Sequence, residues 1–405
     1  MSILWVPEAG LCVQCGTCAA ACPTSAIQMA WDGRRGYSLS VAPGQCSDCG
    51  LCELVCPGPA VDFGQLAGAF LDGGENDPRL GRYRSCYVGH ARDEGIRWDA
   101  ASGGVITALL MAGLKEGLFD GAVVTRMKPE SPLEPMPIVA TTEEEIRAAT
   151  GSKYCPVPAN LRLREVLDGE GRYAFVGVPC HIHGLRLAQT RLPRLKHKVA
   201  VCISLFCGLN MSPVGTRVAL RRRGILPEEV AELRYRGDGW PGALRARLRD
   251  GQTYREGLYS YFGDSFSAYE MARCYFCSDA FGELADLSCG DAWLTEYVEN
   301  DNQGTSIVFA RSRRGAEILA AVGDAVLELA PLPAEKAIQS QRNAILWKKG
   351  WLQAKVSLAQ LAGKQTPSYE QELPAPGLKD YIAAGRQAVT RSLLRRWHRV
   401  RGFQA

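Results

Sequence analysis

The chain has almost no net charge: 47 basic against 43 acidic side chains leave +4 over 405 residues. So small an imbalance gives no global argument for nucleic acid or an anionic surface as a partner. Long hydrophobic runs are missing too. The best apolar stretch, residues 105–114, is about half of what a membrane span requires. The N-terminal Met1-Ser-Ile-Leu-Trp-Val-Pro7 lacks the basic region and extended apolar core of a secretory signal. No Rossmann dinucleotide fingerprint opens a helix after a strand. These absences lead to the expectation of a soluble cytoplasmic protein with at least one sizeable core of its own.

What the chain has in quantity is cysteine, sixteen in all. A cytoplasmic chain keeps thiols reduced and uses them for metals or redox chemistry. Eight fall in two runs, Cys12-x-x-Cys15-x-x-Cys18-x-x-x-Cys22-Pro23 and Cys46-x-x-Cys49-x-x-Cys52-x-x-x-Cys56-Pro57. The pattern resembles the two-cluster bacterial ferredoxins, in which the fourth cysteine of each run ligates the other run's cluster. One 4Fe-4S set is then Cys12, Cys15, Cys18 and Cys56, the other Cys46, Cys49, Cys52 and Cys22. Structural zinc also uses C-x-x-C pairs, but two complete four-cysteine runs favour clusters. Each run continues into a similar segment, Pro23-Thr-Ser-Ala-Ile27 and Pro57-Gly-Pro-Ala-Val61, which suggests a duplicated loop, helix and strand.

The expected fold is an α+β ferredoxin-like two-cluster module over residues 1–65, then an α/β domain and a helical C-terminal tail. Gly, Asn, Asp and Pro mark a linker at 66–82. Strands are expected at 86–91, 119–126, 173–176, 199–205, 304–311 and 326–329, with helices between them. Residues 244–255 read as an antiparallel hairpin around Asp250-Gly251. The α/β domain divides at about residue 165 into 83–165 and 166–333, and the tail is 334–405.

Eight cysteines remain: Cys86, Cys155, Cys180, Cys202, Cys207, Cys274, Cys277 and Cys289. Cys180 and Cys207 each follow a strand, at the carboxyl edge where α/β sheets bind ligands. With the C-x-x-C pair Cys274 and Cys277 they offer four thiolates. Spacing alone leaves three readings open: a third cluster, a zinc site, or ordinary buried thiols.

Six motifs in order carry a further resemblance: Ala101-Ser-Gly-Gly-Val-Ile-Thr-Ala-Leu-Leu110, Gly151-Ser-Lys-Tyr154, Gly177-Val-Pro-Cys-His-Ile-His-Gly-Leu185, Phe206-Cys-Gly208, Cys274-x-x-Cys277-x-Asp279 and Ala285-Asp-Leu-Ser-Cys-Gly-Asp-Ala-Trp293. Over residues 83–311 the chain resembles the beta subunit of coenzyme F420-reducing hydrogenase and its formate dehydrogenase relatives, a family that includes 7-hydroxymethyl chlorophyll a reductase. The resemblance implies a flavoprotein holding FAD and a further 4Fe-4S cluster on Cys180, Cys207, Cys274 and Cys277. Cys155 and Cys289 stand where relatives usually carry other residues.

For FAD, Ser102-Gly103-Gly104 stands at a helix start, where free N–H groups and the dipole can take a pyrophosphate; the bland reading is a turn. Ser152, Lys153 and Tyr154 form the second binding segment. Lys153 is a candidate catalytic cation beside the flavin N1 and O2 edge, or else a surface lysine. His181 is a candidate proton carrier and His183 a second one, unless both only bond the loop. Asp279 and Asp291 read as turn-holding carboxylates. The tail from residue 381 carries six arginines and no acidic residue, with Val389, Leu393, Trp397 and Val400 on one face. It packs on its own domain, docks a redox partner, or touches a membrane peripherally.

The expected function is an iron-sulfur flavoprotein oxidoreductase passing electrons between a hydride carrier or reducible organic substrate, coenzyme F420 among the candidates, and ferredoxin-type clusters. Two alternatives stand beside it: a ferredoxin-dependent reductase of a conjugated small molecule, and a non-catalytic electron-transfer subunit of a larger redox complex.

Overall fold

The protein is described by a computed structural model covering residues 3–262, 267–371 and 373–403. The first two residues of the expected ferredoxin module and the last two of the tail lie outside the described residues. The centre is an eight-stranded mixed sheet in the order Leu327–Pro331, Ser85–Ala91, Ser306–Ala310, Leu287–Asp291, Val199–Leu205, Tyr173–Gly177, Gly121–Lys128, Ser131–Ala140. Four neighbours, from Leu287–Asp291 through Gly121–Lys128, run parallel. The outer pairings are antiparallel. Parallel strands are covered on both faces and read as continuous apolar runs. Val199–Leu205 shows this, with every residue but the last buried.

One face is covered by the helices Val105–Lys115 and Arg313–Val326, whose Leu109, Leu110, Ile318 and Leu319 meet Val201, Ile203 and Val308. The other face takes Pro179–Arg191, Leu163–Asp168 and Pro193–Lys198, together with residues of the ferredoxin module. Ala20, Ala21, Val55 and Val61 pack in one cluster with Phe175, Ile182 and Leu185, so the two modules share a core.

The expected strands and helices are present, most with shifted ends. The helix expected to begin at His181 begins at Pro179 and is 13 residues long. Ser131–Ala140 is a further strand, in which Pro132, Pro135 and Pro137 offer no ladder donors. It is the edge strand of the sheet, where proline is tolerated. The hairpin Ala243–Leu248 with Thr253–Gly257 is present and gains Val230–Arg234 as a third strand. Gly237-x-Gly239-x-x-Gly242 spells a dinucleotide string, but it forms the loop between two of these strands and opens no helix.

The duplicated halves are visible as Thr17–Ala21 with Ile27–Trp31 and Leu51–Leu54 with Ala60–Val61. Their strands do not pair with each other. Ile27–Trp31 pairs with Tyr37–Val41, and Ala60–Val61 pairs in parallel with Ser368–Tyr369 from the far end of the chain.

The segment 66–82, expected as a linker, is a correction. Phe63–Phe70 is a helix whose Asp62 cap accepts from Gln65 N at 2.8 Å, and Glu75–Asp77 pairs with Gly81–Tyr83. Glycine at 64 and 68 hid a helix held by its cap and by burial of Phe63 and Leu66 in the shared core. Leu66→Ala should therefore cost about 2–5 kcal/mol, read as a lower thermal midpoint of the anaerobically purified protein. A linker residue would leave the midpoint unmoved.

Candidate functional site

The strands Tyr173–Gly177 and Val199–Leu205 are parallel neighbours, so their carboxyl ends lie side by side. Cys180 follows the first, in the opening turn of Pro179–Arg191, and Cys207 follows the second, its N–H bonded to Ala280 O at 2.9 Å. Cys274 and Cys277 close a short 3₁₀ turn, Ala272–Phe276, with Cys277 N donating to Cys274 O at 3.1 Å. These four thiols gather. Burial raises Cys180 well above the usual thiol range, and Cys274, Cys207, Cys15 and Cys277 raise it further in that order. Burial and then Cys207 push Cys274 up to about 12. Cys289 feels burial and Arg311, and Cys155 feels burial and Tyr235; neither joins the four.

The first ferredoxin set gathers in the same way, including the member from the other run. Burial, then Cys15, Cys56 and Cys12, raises Cys18, and burial with Cys15 leads the causes that raise Cys56. In the second set Cys52 lies on the Leu51–Leu54 helix and Cys22 just past Thr17–Ala21. Its Cys46 and Cys49 are exposed. Among the described residues no group of three or more His, Cys, Asp or Glu is arranged to hold a single metal ion.

Two buried side chains tie the first ferredoxin set to the four thiols. Asn160 N donates to Cys15 O at 2.9 Å, while its Nδ2 donates to Thr17 Oγ1 at 2.7 Å and to His181 O at 2.9 Å. Arg273, one residue before the C-x-x-C pair, donates from Nε to Gly58 O at 2.8 Å and from Nη1 to Phe276 O at 3.2 Å. The helices meet closely at Gly184, where a Cβ would stand 2.2 Å from Thr17 Oγ1. Sequence reasoning missed both ties. Arg273 was marked only by adjacency to Cys274, and Asn160 by nothing.

His181 and Lys153, the two candidate catalytic residues, are both engaged by nearby backbone groups. His181 accepts from Val178 N at Nδ1, 3.2 Å, and donates from Nε2 to Val157 O at 2.8 Å. Burial lowers its pKa to about 4, so it is a neutral ring with both nitrogens committed. Lys153 Nζ donates to Ala149 O at 2.5 Å, Gly151 O at 2.9 Å and Thr150 O at 3.1 Å. It closes the carboxyl end of Glu143–Ala148, a usual place for a cation. Burial and then Arg234 draw it down to about 7. The motif gave residue type; side-chain direction came from the preceding turn.

His183 Nε2 bonds Asp279 Oδ2 at 2.9 Å. Asp279 also accepts from the N–H groups of Phe281, Gly282 and Glu283. It holds a turn, whereas Asp291, at the end of its strand, accepts from side chains, Arg236 at 2.7 and 2.9 Å and Trp240 Nε1 at 2.7 Å.

The two segments expected to take FAD converge. Gly104 caps Val105–Lys115 in the left-handed region with no side-chain bond to the first turn. Thr107 in that turn meets Thr150 at 3.3 Å, next to Gly151, Ser152, Lys153 and Tyr154. Ser102 Oγ donates to Thr305 O at 2.9 Å, and Gly103 N to Ser306 Oγ at 3.0 Å. An uncapped helix start facing a second loop is an arrangement that fits a phosphate-bearing cofactor.

The basic tail forms Leu378–Val400 and packs on its own chain. Arg391 pairs with Glu270, Arg395 donates to Ala268 O, and Tyr269 OH bonds His398 Nδ1 at 3.0 Å. A cavity of about 980 Å³ lies beside it, lined by Lys355, Arg391, Arg395 and Arg399 and by Tyr275 of the C-x-x-C turn. Val389, Leu393, Trp397 and Val400 are exposed, and among the described residues no helix is long and apolar enough to cross a membrane.

Three family models match the chain: a 4Fe-4S dicluster domain at residues 11–60, and the coenzyme F420 hydrogenase/dehydrogenase beta subunit, N-term at 86–164 and C terminus at 170–335. The chain is 30% identical to coenzyme F420 hydrogenase subunit beta of Methanothermobacter thermautotrophicus, over 56% of this chain and 81% of the relative. It is likewise 30% identical to the coenzyme F420 hydrogenase subunit beta of Methanosarcina barkeri, over 63% and 84%. Identity is 27% to the chloroplastic 7-hydroxymethyl chlorophyll a reductase of Oryza sativa, over 59% and 49%. A chain of the F420-reducing [NiFe] hydrogenase complex from Methanosarcina barkeri superposes with a TM-score of 0.57 at 26% identity, covering 74% of this chain and 99% of that one.

Asn160→Leu should lower the thermal midpoint by the equivalent of about 1–3 kcal/mol, because the buried bonds of Nδ2 to Thr17 Oγ1 and His181 O are both lost. Unchanged melting would mean that the seam does not depend on Asn160.

Proposed function

The chain belongs to the family of coenzyme F420 hydrogenase/dehydrogenase beta subunits, and from that premise we propose that it is an iron-sulfur flavoprotein oxidoreductase. Its 4Fe-4S dicluster domain exchanges electrons, through a third cluster and FAD, with a hydride carrier or reducible organic substrate. Coenzyme F420 is the first candidate for that carrier. The observation that carries the reading is the gathering of Cys180, Cys207, Cys274 and Cys277 beside the Cys12, Cys15, Cys18 and Cys56 set. Thiolates are soft ligands suited to iron-sulfur clusters.

The roles of the chain's own residues follow. Asn160 and Arg273 hold the two thiol sets in one buried seam, and His181 fixes the turn that presents Cys180. Ser102, Gly103 and Gly104 at the helix start, with Ser152, Lys153 and Tyr154 opposite, would hold FAD. Lys153, tied to the Ala149, Thr150 and Gly151 carbonyls, would hold that loop against the cofactor. FAD, when bound, would supply the exchange between two-electron hydride chemistry and one-electron transfer. The exposed Cys46 and Cys49 make the second ferredoxin set the outward terminus, where a partner protein would exchange electrons.

Protein purified anaerobically should show flavin absorbance together with iron and sulfide for three clusters. Iron for two clusters and no flavin would overturn the proposal in favour of a plain electron-transfer subunit. Reduced coenzyme F420, NADH and NADPH, added separately to oxidised protein, should distinguish the carrier by which one bleaches the flavin. Cys277→Ser should remove one cluster and spare the two ferredoxin signals; survival of all three would refute the ligand set.

A further inference from the structure

The family match ends at residue 335, yet the chain beyond it reaches back into the site. Ala334–Ser340 and Arg342–Ile345 lead into a single π-helical turn, Leu346–Gly350. Such turns displace side chains from the ordinary helical register and recur at functional sites. Here two consecutive lysines go inward: Trp347 is 40% exposed, Lys348 and Lys349 only 3% and 4%. Lys349 is accounted for by its ion pair with Glu283 at 2.7 Å and its bond to Pro78 O at 2.8 Å. Lys348 differs. Its Nζ donates to Asp279 O at 2.9 Å and to the Cys277 sulfur at 3.1 Å.

A buried ammonium is costly unless an opposite charge meets it. As ligands of the proposed third cluster, Cys180, Cys207, Cys274 and Cys277 would be thiolates and would supply that charge. We propose that Lys348 is a positioning residue for the redox chemistry: its fixed charge and its N–H···S bond raise the reduction potential of the third cluster. The inference rests on the third cluster of the proposed function. One-electron reduction of such a cluster would convert one ferric to one ferrous equivalent with no proton moved, leaving the cluster one unit more negative. Hydrogen bonds to sulfur and nearby charge are the levers that set such potentials. Burial strengthens both, because little water screens the pair. Lys355 adds a second cation further out, its Nζ bonded to Trp347 O at 2.7 Å and lying 4.7 Å from the centre of the Tyr275 ring.

The test is an EPR-monitored redox titration of the full-length, cluster-loaded protein, with iron counted per chain. Lys348→Met should retain iron for three clusters and lower one midpoint by at least a tenfold change in its one-electron equilibrium, about 59 mV. The two ferredoxin midpoints should stay in place. Lys348→Arg, which keeps the charge and an N–H donor, should restore most of the shift. If Lys348→Met fails to load iron, Lys348→Gln carries the test, since it keeps a donor and loses the charge. A loaded neutral variant with all three midpoints unmoved overturns the inference. Wild-type protein with iron for only two clusters instead overturns the proposed function beneath it, so the two failures are distinguishable.

Discussion

Everything in this molecule depends on one buried seam in which a ferredoxin-like loop is bonded to the carboxyl edge of a parallel sheet. The seam is polar at its centre. Asn160 spans Cys15, Thr17 and His181, and Arg273 spans Gly58 and Phe276. A polar group buried without its partner costs more than the bond yields when made, so such a seam tolerates one register and penalises the others. Apolar packing beside it, where Ala20 and Val61 meet Ile182 and Leu185, supplies the affinity; the polar bonds supply the alignment.

The sequence was most readable where a single physical rule dominated. Eight cysteines at ferredoxin spacing have few other uses, and Val199–Leu205 announces a doubly covered strand by its unbroken apolar run. Legibility failed where two rules competed. Proline at 132, 135 and 137 argued against a strand, yet the edge of a sheet leaves half of its donors unused and accepts it. Glycines at 64 and 68 argued for a linker, while the Asp62 cap and the burial of Phe63 and Leu66 decided for a helix.

At the site the limits have a different origin. The motifs singled out Lys153 and His181 but did not show their directions. Lys153 turns back onto three carbonyls of its own helix end, and His181 divides its two nitrogens between Val178 and Val157. Both outcomes follow from backbone groups that must be paired when buried, and a local string does not show which side chain is nearest. Lys348 was further out of reach. It stands 71 residues from Cys277, and only an irregular turn brings it there.

The C-terminal region is best understood as the answer to a problem set by fusing a ferredoxin module to the sheet domain. Such a junction leaves a seam with an open side, and the cluster proposed there would bring thiolate charge into it. The last seventy residues meet both needs. Ser368–Tyr369 adds a strand to Ala60–Val61, and Tyr369 OH bonds Phe276 O at 2.6 Å, so one segment grips both modules. Lys348 donates to the Cys277 sulfur, and Lys355 and Arg391 lie over the Tyr275 ring of the same turn. Sealing alone could use apolar side chains at lower desolvation cost. That cations were placed there means that the seam is shaped by the charge it encloses as well as by the water it keeps out.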